Sequence, residues 1–159
     1  MNLWGICMDY ELVFFSEMSL IEWAEYIYDL LNRKMKIEVK YKKYSDYISI
    51  VCKYLSFIIE TDEIVGMDVI KEVFSFEGNI SIRLQIFGKT FDQGIRILFM
   101  MLALILDDNS ENFMLLENGS EIILKRDKDI IYTYVQEGYE TDFPYKLLGK
   151  SVIHLDRNN

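Results

Sequence analysis

The sequence predicts an α+β fold: a single domain over 1–159, with an antiparallel sheet packed on two helices at about 20–33 and 91–107. Three observations lead there. Of the 159 residues, 51% are apolar and 14% aromatic, far above what a disordered chain carries. The length matches one domain of about 100–150 residues with its own core. Finally, two segments open with helix-capping patterns, while the rest is dominated by short β-favouring runs separated by turn residues.

Met8 to Phe15 is rich in β-favouring residues and has little helical spacing, which predicts a first strand. Ser19-Leu20-Ile21-Glu22 is a capping box, in which the Ser19 hydroxyl can accept from the Glu22 amide while the Glu22 carboxylate reaches back. Met18 and Trp23 are placed to staple that start. Leu20, Trp23, Ala24, Ile27, Leu30 and Leu31 then form one apolar stripe, and Arg33 and Lys34 suit the negative end of the helix dipole. Lys34 to Lys42 alternates, with Met35, Ile37, Val39 and Tyr41 on one side, and predicts a half-buried strand with a wet basic face. Tyr47 to Phe57 reads as a further strand and Thr61 to Gly66 as an acidic loop. Val69 to Phe76 and Ile80 to Phe87 alternate around Glu77-Gly78-Asn79, which predicts a hairpin. In its second strand Ser81, Arg83 and Gln85 face away from the core.

Thr90-Phe91-Asp92-Gln93 is a second capping box. It opens a helix to about Leu106 whose stretch from Ile95 is apolar nearly all round and therefore buried on most sides. That run also contains Arg96 and falls short of the roughly 20 residues needed to cross a bilayer, so no membrane span is expected. Phe113–Leu116, Ile122–Lys125 and Ile130–Val135 read as a meander turning at Glu117-Asn118-Gly119-Ser120 and at Arg126-Asp127-Lys128-Asp129. From Gln136 onward the chain is loop-rich, with a weak strand at Ser151 to Leu155.

Composition is poor in catalytic equipment: one His (His154), one Pro (Pro144) and two Cys (Cys7 and Cys52). Imidazole is the side chain on which acid–base and metal chemistry lean most. Neither cysteine has metal-ligand spacing, and both read as reduced, mostly buried thiols of a cytoplasmic protein. The apolar N-terminus lacks a basic leader and meets Asp9 and Glu11 at once, unlike a signal peptide. No phosphate-binding glycine loop, nucleophile elbow or zinc helix motif occurs. The expectation is a protein that is no enzyme and holds no catalytic residues, cofactor or metal, with His154 an exposed tail residue. A net charge of −9 argues against a nucleic-acid partner, whose binder shows a basic face. Arg33, Lys34, Lys36, Lys40, Lys42 and Lys43 read as a solvated strand face that discourages edge pairing.

The feature that stands out is acidic. Asp107-Asp108 ends the most apolar helix, where the dipole disfavours negative charge by about 0.3–1 kcal/mol; the bland reading is a solubilising last turn with Asn109 as a left-handed cap. Together with Glu111, Glu117, Glu121, Asp127 and Asp129 they predict a negative patch for a basic protein partner.

The strand Asp9-Tyr10-Glu11-Leu12, the capped helix from Ser19, the strand Ile80-Ser81-Ile82-Arg83-Leu84, the long helix from Phe91 and the hairpin Phe113–Gly119 followed by Ile123-Leu124-Lys125-Arg126 resemble the swarming-inhibition (Sit-type) immunity proteins. The likeness covers most of the chain and is weakest over Lys34–Phe57. It implies a non-enzymatic inhibitor that binds the C-terminal domain of one polymorphic bacterial toxin. The alternative from another class is an acidic secretion chaperone, which would hold an unfolded effector segment on a dimeric scaffold.

Overall fold

Strand alternation and one nearly all-apolar helix set the architecture. The computed structural model describes residues 7–60, 67–135 and 143–156. Its strands are β1 (Cys7–Phe14), β2 (Lys40–Lys43), β3 (Tyr47–Val51), β4 (Leu55–Glu60), β5 (Ile80–Phe87), β6 (Phe113–Glu117), β7 (Glu121–Asp127), β8 (Ile130–Val135) and β9 (Val152–Asp156). Among the described residues they form one nine-stranded sheet in the order β2-β3-β4-β5-β1-β6-β7-β8-β9. It is antiparallel except where β9 runs parallel to β8. The α+β reading with an antiparallel sheet therefore holds.

One face of the sheet is roofed. Leu12 and Phe14 of β1, Ile82, Leu84 and Ile86 of β5, Phe57 of β4 and Ile50 of β3 meet α1 (Leu20–Asp29) and α3 (Phe91–Asp108) in the main core. Trp23 stacks on Phe14 with ring centroids 4.5 Å apart. The capping box opening α1 is complete: the Glu22 amide donates to Ser19 Oγ at 3.2 Å, and the Ser19 amide donates to Glu22 Oε2 at 2.7 Å. α3 lies against β5 at Gly94, where a Cβ would fall 2.5 Å from Ile86 Cγ2 and 3.1 Å from the Tyr54 carbonyl.

The opposite face carries α2 (Met67–Phe74), whose Ile70 packs in a smaller cluster with Val13, Phe76, Met114 and Leu116. Val13 alternates with the inward Leu12 and Phe14 and so points to this side. α2 replaces the expected strand Val69–Phe76 and its hairpin. Met67, Ile70 and Phe74 also satisfy helical spacing, and that period wins because it can bury them on Val13 and Met114.

Four other expectations are corrected. The chain at Lys34–Lys42 is not a strand throughout: α1 continues into a π-helical turn (Leu30–Lys34), Lys36 has φ +58°, and strand pairing begins at Lys40. Met35, Ile37 and Val39 are half-buried against the main core without a strand partner. Tyr47–Phe57 is two strands, turned at Cys52-Lys53-Tyr54, where the Cys52 amide donates to the Leu55 carbonyl at 3.0 Å. Thr90 precedes α3 without a side-chain capping bond, and Asn109 has extended backbone rather than a left-handed cap. The Asn118-Gly119 turn appears as expected, with φ +51° and +70°. The readings at the N-terminus before Cys7, at Thr61–Gly66 and at 136–142 fall outside the described residues.

Leu98 and Leu102 are fully buried, so Leu98→Ala and Leu102→Ala should each destabilise by about 2–5 kcal/mol in urea unfolding. Gly94→Ala adds about 1 kcal/mol of helix propensity but overpacks against β5, at about 1–3 kcal/mol. Net destabilisation is expected; a higher midpoint would show that helix and strand are not in close approach.

Candidate functional site

The acidic segment after α3 surrounds a buried cation. Arg126, on β7, is 7% exposed. Its Nε donates to the Glu111 carbonyl at 2.9 Å, Nη1 to Leu106 at 3.2 Å, and Nη2 to Asn109 and Glu111 at 2.7 and 2.6 Å. The guanidinium thus supplies the donors that the C-terminal turn of α3 and the following loop lack. Burial pulls its pKa down, an effect opposed by the charges of Glu111 and Asp129.

Most of the neighbouring carboxylates have internal partners. Asp107 pairs with Lys150 at 2.9 Å. Asp108 accepts from the Tyr26 hydroxyl at 2.7 Å and lies 3.5 Å from Lys34 Nζ. Burial, reinforced by Asp108, pushes the Tyr26 hydroxyl pKa up. Glu111 Oε1 accepts from Ser16 at 3.0 Å, while Oε2 is buried with no hydrogen-bond partner among the described residues. Asp127 and Asp129 are exposed at the β7–β8 turn.

Glu117 and Glu121 stand apart. They pair across the β6–β7 turn at the far end of the hairpin from Asp127, on the order of 20 Å away along β7 at ~3.3 Å per residue. Glu117 is 3% exposed and accepts from the Tyr10 hydroxyl at 3.0 Å, on the roofed side of the sheet. The seven carboxylates therefore do not form one continuous patch.

Among the described residues a different surface is open. Over β3, β4, β5 and β1 the face opposite α1 and α3 presents the polar half of the alternation. Register sets Asp9 and Ser56 on either side of Gln85, and Glu11 and Ile58 on either side of Arg83. Asp9 accepts from the Gln85 amide at 2.8 Å, Glu11 from the Ser81 hydroxyl, and Arg83 pairs with Glu60. Asp9, Glu11, Ser56, Ile58, Arg83 and Gln85 line a cleft of about 370 Å³ rimmed by the Asn118-Gly119 turn, and a second hollow of about 400 Å³ continues past Ile58 and Glu60 to Asp46 and Tyr47. α2, on the same side of the sheet, exposes Val69 and Val73, 59% and 65% accessible and one turn apart. Among the described residues no three His, Cys, Asp or Glu side chains are gathered as metal ligands. No described helix is long and apolar enough to cross a membrane.

Of this surface the sequence reading placed only Ser81, Arg83 and Gln85 as outward. Asp9, Glu11, Ser56 and Glu60 were findable by the same alternation, but a cleft across four strands needs the strand order, which no local pattern carries. Compared with protein-family models, curated proteins and solved structures, the chain matches none.

Burial raises the Glu117 pKa above the ordinary carboxylate value, partly opposed by the bond from Tyr10. The folded state then holds this proton more tightly than the unfolded chain, so its contribution to stability falls as pH climbs from the ordinary value through the raised one. Glu117→Gln, which keeps an acceptor for Tyr10, should gain stability relative to wild type between pH 4 and pH 7 (roughly, the carboxylate range and above). A constant difference in melting temperature across that range would contradict this. Arg126→Met strands the carbonyls of Leu106, Asn109 and Glu111, and should cost at least about 2 kcal/mol in urea unfolding.

Proposed function

We propose that the protein is an immunity protein: an antidote that binds a cognate toxin domain and neutralises it by direct contact, without catalysis. One observation carries the reading, namely a wide sheet roofed by helices on one face and, among the described residues, left uncovered on the other across β3, β4, β5 and the Asp9–Glu11 end of β1. A polar floor with exposed valines on the same side of the sheet is what a protein-binding module presents: polar groups for specificity and apolar anchors for affinity. The net charge of −9 supports a basic partner, and the Sit-type resemblance supports a toxin as that partner.

The test is co-expression with the toxin domain encoded beside this gene in the producing cell. Growth should be restored, and the two proteins should elute as one complex in equal amounts. A dimer of this chain bound to an unfolded segment would instead identify a secretion chaperone. His154 is exposed at the edge of the sheet, so His154→Ala should leave protection intact; loss of protection with the fold retained would point to chemistry at that imidazole.

A further inference from the structure

We infer that the bare sheet face over β3, β4, β5 and β1 is where the partner docks, and that the docking surface of the partner is basic. This rests on the antidote reading for the identity of the partner, but not for its charge. Negative charge is left in excess on this face and is largely matched around the α3 terminus. Around the α3 terminus, Asp107 and Asp108 face Lys150 and Lys34, and Arg126 sits in their midst. On the sheet face, Asp9 and Glu11 are held by neutral donors, the Gln85 amide and the Ser81 hydroxyl. Such bonds fix a carboxylate in place and leave its charge intact. Arg83 pairs with Glu60 and stands opposite Glu11, one cation against Asp9, Glu11, Glu60 and, at the outer hollow, Asp46.

A floor of fixed carboxylates in a concave surface concentrates field, and attracts Lys and Arg side chains whose stems can lie over Ile58. The surface is also directional. Lys40 and Lys42 of β2 register opposite Val51 and Ser49, at the edge of the same floor. A basic partner is thus drawn toward β1 and repelled at β2, which fixes its orientation as well as its charge. Val69 and Val73 on α2 supply exposed apolar area on the same side.

The test has two arms. In the first, the isotopically labelled full chain is titrated with a short peptide of alternating lysine and serine, and in parallel with its glutamate counterpart. Amide shifts should concentrate at Asp9, Glu11, Ile58 and Gln85 with the lysine peptide only, and should collapse in 1 M salt, where charges are screened over about 3 Å. Shifts centred on Asp127 and Asp129, or equal shifts with both peptides, would overturn the proposal.

In the second arm, Asp9→Lys with Glu60→Lys should weaken lysine-peptide binding about tenfold or more, as loss of close charge pairs does. The isosteric pair Asp9→Asn with Glu60→Gln guards against misfolding and should weaken it several-fold. Asp127→Lys with Asp129→Lys should leave it within about twofold. Equal loss in that control pair, or wild-type binding in both sheet-face pairs, would sink the assignment. The two readings also fail separately. Growth rescue without peptide docking removes this surface and leaves the antidote; docking without rescue removes the antidote and leaves the surface.

Discussion

The most consequential single interaction is the buried guanidinium of Arg126. A helix that ends inside a protein leaves its last carbonyls without donors, and leaving such groups unmade costs about 1–3 kcal/mol each. α3 meets this by borrowing a side chain from β7, twenty residues away in sequence. That solution brings its own difficulty, because a buried cation is unfavourable unless the field around it is negative. Glu111 and Asp129 supply part of that field, opposing the fall that burial imposes on the Arg126 pKa. Arg126 also lies over the Phe113 ring at 5.8 Å, fixing β6 and β7 beneath the helix end.

This arrangement explains why the acidic segment looks functional in the sequence. Carboxylates at a helix C-terminus oppose the dipole, so Asp107-Asp108 reads as a choice made for something outside the fold. In the folded chain Asp108 holds Tyr26 of α1 and faces Lys34, while Asp107 meets Lys150 near the C-terminal strand. The local penalty of less than about 1 kcal/mol is offset by tertiary contacts that tie three parts of the roof together. Sequence reasoning sees the penalty but not its compensation, because the compensating partners lie up to 82 residues away.

The same contrast between local and distant information accounts for what was legible. The Ser19–Glu22 box, the α1 stripe, the apolar run of α3, β5 and the Asn118-Gly119 hairpin were readable because their determinants lie within a few residues. The segments that misled, Lys34–Lys42 and Val69–Phe76, alternate well enough for a strand. In both, apolar side chains reach a core by another route: Met35, Ile37 and Val39 pack on the main core after a π-helical turn, and Ile70 and Phe74 pack on the outer side of β1 and β6. A period of two establishes that one side of a segment is apolar. It does not establish that the segment finds a neighbouring strand.

The two faces of the sheet divide the work of the sequence. On the roofed face, Glu117 is matched with Tyr10, and Thr133 with the Ile123 carbonyl at 2.7 Å. Each such match restricts substitution, since removing one partner strands the other. On the bare face, Asp9, Glu11, Arg83 and Gln85 stand on strands whose inward residues already secure the register. Their identities can change with little effect on the core. A binding surface built there can diversify against a changing partner while Leu12, Ile82 and Leu84 behind it keep the sheet in place. That separation of stability from recognition follows from the period-two geometry of β1 and β5, and it suits the antidote proposed above.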